Sequence, residues 1–361
     1  MMRALAALVL AANLGLPAAT SGGFANARLP WTFAFPRDHG AHPEFRSEWW
    51  YFTGHLTAAD GRTFGYELTF FRYGLRPGDP APPRGSSRWR GHEIYPVHLA
   101  LTDERAGTFL YDERVARGVL GLGRAAQGRL DLAAGGWTLR GADFRMHAAA
   151  AALGLDLTHT AEKPPAIHGH DGVSVKGSCA TCASHYYSMT RLRTAGTLRY
   201  RGERLRVTGI SWMDHEFGSD ELQRDQAGWD WFAVQLDDRR ELMLYRLRQR
   251  DGSITPESSG SLIEADGRVR FLPRNAVQVD ATGSWRSGRT DGVYPSGWRV
   301  RVPSAGVDVM LIPTVRDQEL ANTAGGVSYW EGSVRVNDVR SGERRGAGYV
   351  ELTGYAGSLP L

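Results

Sequence analysis

Residues 47–73 read SEWWYFTGHLTAADGRTFGYELTFFRY. Two runs rich in aromatic and β-branched residues flank the turn sequence TAADG, which predicts a β-hairpin. With a period of two, Glu48, Trp50 and Phe52 share one face of the first strand, while Trp49, Tyr51 and Thr53 share the other. One face therefore carries a carboxylate among aromatic rings. Glu48 either pairs with an arginine inside a barrel whose floor Trp50 closes, or lines a ligand cavity together with Trp50.

The pattern recurs along the chain. YPVHLALTDERAGTFLYDERVA (95–116) turns at DERAG, and YYSMTRLRTAGTLRYRGERLRVTGISWMD (186–214) offers three strands separated at Ala195-Gly196 and Gly202-Glu203. GWDWFAVQLDDRRELMLYRLRQRDG (228–252) forms another hairpin, and strand patterns continue to the C-terminus. MHAAAAALGLDL (146–157) is rich in Ala, a helix former, but its neighbours assign it to a strand. Short strands with regular turns predict an all-β chain of barrels or sandwiches. WWYF at 49–52 and WDWF at 229–232 open similar apolar strands, which suggests two like barrels in tandem, joined near 215–228. The expected division is 1–27, 28–217 and 218–361. The Pro/Gly-rich segment 76–91 reads as a long loop within the first barrel.

At the N-terminus, Arg3 precedes the apolar stretch Ala4–Leu16, and Ala25-Asn26-Ala27 fits a small-residue cleavage site. This predicts a signal peptide cleaved near Ala27 and an exported, periplasmic chain. The formal charge is only +4, and the Arg residues are dispersed, as at Arg199, Arg201, Arg204 and Arg206. Nothing forms the basic stripe of a nucleic-acid binder. The two cysteines, Cys179 and Cys182, form CATC; in an oxidising compartment a local disulfide is the first reading.

The segment GISWMDHEFGS (209–219) concentrates titratable groups. On a strand, Trp212, Asp214 and Glu216 point one way and His215 the other, so these groups cannot share a metal ion unless the strand breaks; Gly218-Ser219 marks a break just after them. No metal or cofactor motif is present, and no nucleophile elbow. Two glycosidase-type carboxylates have no spacing signature here. Asp214 and His215 are either hydrogen-bonding plugs of a barrel end or chemical groups.

FPRDHGAHPEFRSEWWYFTGHL, ASHYYSMTRLRTAGTL, VTGISWMDHEFGS, GWDWFAVQL and YWEGSV…GYVELTGY resemble, in the same order, the hydroxyneurosporene synthase (carotenoid 1,2-hydratase) and AttH-like family, often labelled secreted hydrolases. The resemblance spans about residues 30 to 356. It implies two tandem lipocalin-like barrels with an apolar isoprenoid-like or lipid ligand in or between them. It also implies either cofactor-free hydration of a C=C bond or a non-catalytic carrier role beside an envelope ABC transporter or the membrane surface. A hydrolase is a weaker alternative. For hydration, Asp214 is the expected acid and His215 its partner, provided the strand break lets them meet. Keeping Asp214 protonated near neutral pH requires lifting its pKa by roughly 3 units, at about 4 kcal/mol. The expected ligand-binding residues are Glu48, Trp50, Tyr51, Tyr187, Trp212, Glu216, Trp229 and Trp231.

Overall fold

The computed structural model describes residues 23–77, 91–219, 223, 225–321, 323–324 and 327–357. Apart from three single-turn 3-10 helices, its regular elements are strands. Two large antiparallel sheets curl into barrels, one after the other along the chain, as tandem lipocalin-like barrels require. Most of segment 76–91 lies outside the described residues.

In the first barrel, Ser47–Ala58 and Thr63–Gly74 form the expected hairpin. The first of these also pairs along its whole length with Glu203–Gly218, the barrel's last strand, matching Tyr51 with Asp214 and Trp49 with Glu216. Where three strands were expected over 186–214, two long ones stand, Ala183–Tyr200 and Glu203–Gly218. Ala195-Gly196 does not turn the chain: a Cβ on Gly196 would sit 2.0 Å from the Asp156 carbonyl oxygen, so glycine here admits a neighbouring backbone rather than ending the strand. The alanine-rich segment is two strands, Arg145–Ala149 and Leu153–Ala161, because Met146, Ala148, Leu153, Leu155 and Leu157 face the barrel core at a period of two.

The second barrel repeats the plan. Gln226–Leu236 pairs with the next strand, Glu241–Gln249, and with the last, Arg344–Thr353. Trp231 thus stands opposite Glu351 as Tyr51 stands opposite Asp214. In both barrels the alternate residues Phe52 and Phe232 face the separate cores. The opposite faces meet in a third apolar cluster that includes Tyr51, Tyr186, Trp212, Trp231, Met243 and Tyr349, drawn from both barrels.

Polar groups bind this seam. Lys163 Nζ contacts Glu241 Oε2 at 2.7 Å and Arg191 Nε contacts Glu241 Oε1 at 2.5 Å. His98 Nδ1 lies 2.7 Å from the Tyr329 hydroxyl. Because these groups are buried and mutually satisfied, they fix the register of one barrel on the other without leaving unpaired charge.

Ala27 is buried in a cluster with Phe45, Val173 and Phe217 among others, and Phe24 is buried with its ring against Gly74. The Ala25 amide donates to Glu44 O at 2.8 Å, and the Ser219 hydroxyl donates to Ala25 O.

Candidate functional site

Alternation along the Glu203–Gly218 strand separates two groups of polar residues. The strand continues unbroken to Gly218, so Asp214 and Glu216 face the second barrel while His215 faces the interior of the first.

The interior group centres on Glu48, which is fully buried. Arg72 Nε lies 2.9 Å from Glu48 Oε2; His42 Nδ1 and His215 Nε2 each lie 2.8 Å from Oε1. Burial works against the charge of Glu48, but Arg72 and the two imidazoles overcome it and hold the carboxyl well below its usual range. Burial also works against a charged His42, yet Asp38 and Glu48 push its pKa up to about 9. Trp50 stacks on the His215 ring at 4.7 Å between centroids, and the Tyr187 hydroxyl lies 3.0 Å from His215 Nδ1. His42, Glu48 and His215 place one donor atom each within 4.8 Å of one another, the spacing a metal ion would need. A guanidinium on one carboxylate oxygen and a protonated His42 make this donor set an ion-pair network instead. Of the two readings of Glu48, the structure shows the arginine pair. Glu48, Trp50, Tyr187 and His215, expected to bind ligand or to work beside Asp214, stand on the far side of the sheet from the cavity described next.

That cavity lies in the seam and has a volume of about 130 Å³. Tyr51, Glu216, Trp229 and Trp231, among the residues expected to bind ligand, line it together with Asp214. Trp212 stands behind the acid: its indole N–H donates to Asp214 Oδ1 at 2.5 Å. Ser188 donates to the same oxygen, and the Tyr186 hydroxyl donates to Oδ2 at 2.5 Å while accepting from the Trp231 indole at 3.0 Å. Burial raises the Asp214 pKa to about 7 against these three hydrogen bonds. Glu216 pairs with Lys176 Nζ at 2.8 Å.

The imidazole linked to Asp214 is not that of His215, whose ring points away from it. His168 Nε2 lies 2.7 Å from Ser188 Oγ, and its Nδ1 lies 2.9 Å from Ser261 Oγ of the second barrel. Burial lowers the His168 pKa to about 3, so the ring is neutral, with one nitrogen a donor and the other an acceptor toward the two serine hydroxyls.

The second barrel contributes two carboxyls that local sequence patterns did not single out. Glu351 accepts from the Trp229 indole at 3.1 Å, and burial lifts its pKa to about 7, with Asp214 and Glu216 adding to the lift. Glu331 accepts from the Tyr51 hydroxyl at 2.6 Å. Burial, with Glu351 and Glu67 nearby, raises its pKa well above the ordinary range. Tyr186, His168 and Lys176 were also missed. The available signal was that Tyr186 and Ser188 share a face opposite Glu216 and Asp214.

Trp49, Phe71 and Trp229 are half-buried, and Tyr73 is exposed, so the aromatic wall extends from the buried acids to the surface. The disulfide candidate is realised: Cys179 and Cys182 are bonded.

A carboxyl whose pKa is raised in the folded state costs stability above its unfolded pKa. For Glu351 the cost is absent below about pH 4.5, grows toward pH 7 and is constant above. Glu351→Gln, which keeps an acceptor for Trp229, is therefore expected to stabilise the protein by up to about 3 kcal/mol at pH 8 and by little at pH 4. Denaturant unfolding at both pH values checks it.

Comparison with known proteins places this site in context. The AttH-like family profile matches residues 26–355. The chain belongs to the AttH-like family. A crystal structure assigned to AttH of Nitrosomonas europaea is 34% identical and covers 92% of this chain and 100% of its own, with a TM-score of 0.81. Kievitone hydratase from Nectria haematococca is 16% identical over 93% of this chain and 99% of its own, with a TM-score of 0.66. CghA, determined with Sch210972, is 14% identical over 94% and 98%, with a TM-score of 0.54. The last two show a shared fold. No curated protein matches it by sequence.

Proposed function

We propose that the seam cavity binds an apolar, isoprenoid-like molecule and that Asp214 protonates its double bond so that water can add. The observation that carries this reading is a carboxyl that burial lifts to about pKa 7 in an aromatic cavity and that donors from three neighbouring side chains orient. An acid with its pKa near the working pH gives the best compromise between being protonated and giving the proton up. A buried carboxyl that served only to plug a barrel would cost stability with no return, whereas perturbed acids cluster at functional sites. Aromatic faces lining the same cavity favour the cation that protonation creates.

The division of labour follows from the contacts. Asp214 gives its proton to the less substituted carbon. Tyr186, itself held by Trp231, fixes the orientation of the carboxyl. Neutral His168 holds the Ser188 hydroxyl in place on Asp214, and the proton that finally resets Asp214 is the one released by the added water, so the cycle has no net proton change. Glu351 accepts the proton lost by the added water. The enclosed volume is close to the roughly 150 Å³ that holds one benzene, so the cavity takes the terminal group of a longer ligand, whose remainder lies along Trp49, Phe71 and Tyr73. The architecture shared with kievitone hydratase supports this reading. The test is to extract lipophilic material that co-purifies with the protein and incubate it with fresh enzyme. Formation of a hydrated product supports hydration; a tightly bound compound that is returned unchanged favours the carrier role.

We further infer export, with cleavage before Phe24 rather than at Ala27, because Phe24 and Ala27 are buried against the first barrel. The intact mass of protein secreted to the periplasm is expected to include residues 24–27; a mass beginning at Arg28 would overturn this placement.

A further inference from the structure

The cavity presents four carboxyl groups, Asp214, Glu216, Glu331 and Glu351, and one ammonium, Lys176. Lys176 is already paired with Glu216 at 2.8 Å and lies over the Tyr245 ring, 4.1 Å from its centroid. The rings of this cavity thus already turn a face toward one cation. The remaining carboxyls have no such partner. Glu331 shows this most clearly: it is fully buried, its Oε1 accepts from Tyr51, and its Oε2 has no hydrogen-bond partner among the described residues. A buried oxygen left unsatisfied in a cavity wall costs free energy and marks where a ligand group belongs.

The plan is also doubled. Tyr51 beside Asp214 in the first barrel and Trp231 beside Glu351 in the second are equivalent positions, and the four side chains line the same cavity. Tyr51 and Trp231 meet edge to face, with centroids 5.0 Å apart. Carboxyls from opposite barrels therefore converge on one space walled by π faces. A neutral hydrocarbon satisfies the rings but gives Glu331 no counter-charge until protonation turns it into a cation. An anion would be opposed by the surplus carboxyls. A compact organic cation satisfies both sets of groups, through cation–π contact and, as it displaces the protons that burial keeps on Glu331 and Glu351, through charge pairing.

We propose that this cavity selects positive charge and takes as ligand a small organic cation, a trialkylammonium or quaternary ammonium head group, with Glu331 and Glu351 as its counter-carboxylates. The proposal rests on the seam cavity being the ligand site, as in the reading above, but not on hydration. It deepens that reading because a permanent ammonium would sit where a transient carbocation forms. The trimethylammonium group is close in size to benzene, which suits the enclosed volume.

The experiment is calorimetric titration of the intact protein with choline chloride and, separately, with 3,3-dimethylbutan-1-ol, the neutral carbon analogue of choline, at constant ionic strength. Choline is expected to bind well over tenfold more tightly than the alcohol, because charge pairing adds to the roughly tenfold that desolvated cation–π contact supplies. Glu331→Gln is expected to reduce this preference to what cation–π contact alone supplies, while leaving the weaker binding of the alcohol, which shows that the cavity remains folded. Trp231→Leu is expected to weaken choline more than the alcohol. Equal affinity for the two probes, no binding of either, or a preference undiminished by Glu331→Gln would overturn the proposal. Labelled-water incorporation by Asp214 can succeed or fail independently, so the failure of one reading is distinguishable from failure of the other.

Discussion

Asp214→Asn is expected to reduce turnover of the co-purified compound by roughly 10³-fold, within the range expected for loss of a general acid, while binding and fold survive. Asparagine is nearly isosteric and keeps an oxygen for Ser188 and the Trp212 indole. It has no proton to give to carbon. Because the wild-type carboxyl is buried at a cost, the variant is expected to be at least as stable as the parent near neutral pH. A second signature comes from pH. Only the protonated acid is competent, so the wild-type kcat/KM is expected to fall as pH rises through about 7, the value to which burial lifts Asp214. A variant that binds, folds and turns over normally would remove Asp214 from the mechanism.

The second large effect is on stability. Arg72→Met removes the guanidinium that neutralises Glu48 inside the first barrel and also donates to the carbonyls of His42 and Phe45, at 2.9 and 2.8 Å. Breaking a buried ion pair from one side leaves the other charge uncompensated, which costs about 3–5 kcal/mol. Denaturant unfolding should show this loss. The double variant Arg72→Met with Glu48→Gln should recover part of it, because no orphaned carboxylate remains. If the single and double variants are equally destabilised, the charge pair is not what stabilises this end of the barrel. The sign with pH follows from His42. Its folded pKa is raised to about 9, so its contribution is full below about pH 6.5 and is lost as pH rises through 9.

How far the sequence could be read differs between fold and site. The hairpin of 47–73 and the echo of WWYF in WDWF anticipated both first strands, because alternation and turn residues are local signals. The same alternation placed Asp214 and His215 on opposite faces. A partnership between them needed the strand to break, and Glu203–Gly218 runs through without one. The role passed to His168, from a short loop segment that no periodicity marks. Among adjacent tyrosines, Tyr187 was expected to bind the ligand, and it is Tyr186 that lines the seam cavity. A one-residue change of face is all that separates the two, and here both faces are buried: one against the barrel core, the other against the second barrel. Glu331 and Glu351 were hidden for a broader reason. They reach the site only because two barrels pack face to face, and no local pattern in either strand states which face will meet a partner. Trp229 and Trp231 were legible because they repeat the aromatic opening of the first barrel.

The central claim is that Asp214 adds water to a ligand held between the barrels. The most direct measurement incubates the co-purified compound with the wild-type protein and with Asp214→Asn in ¹⁸O-labelled water, read by mass spectrometry. The expected result is a product heavier by one labelled water with the wild type and no such product with the variant. Recovery of the compound unchanged from the wild type, or equal labelling by both proteins, would contradict the claim.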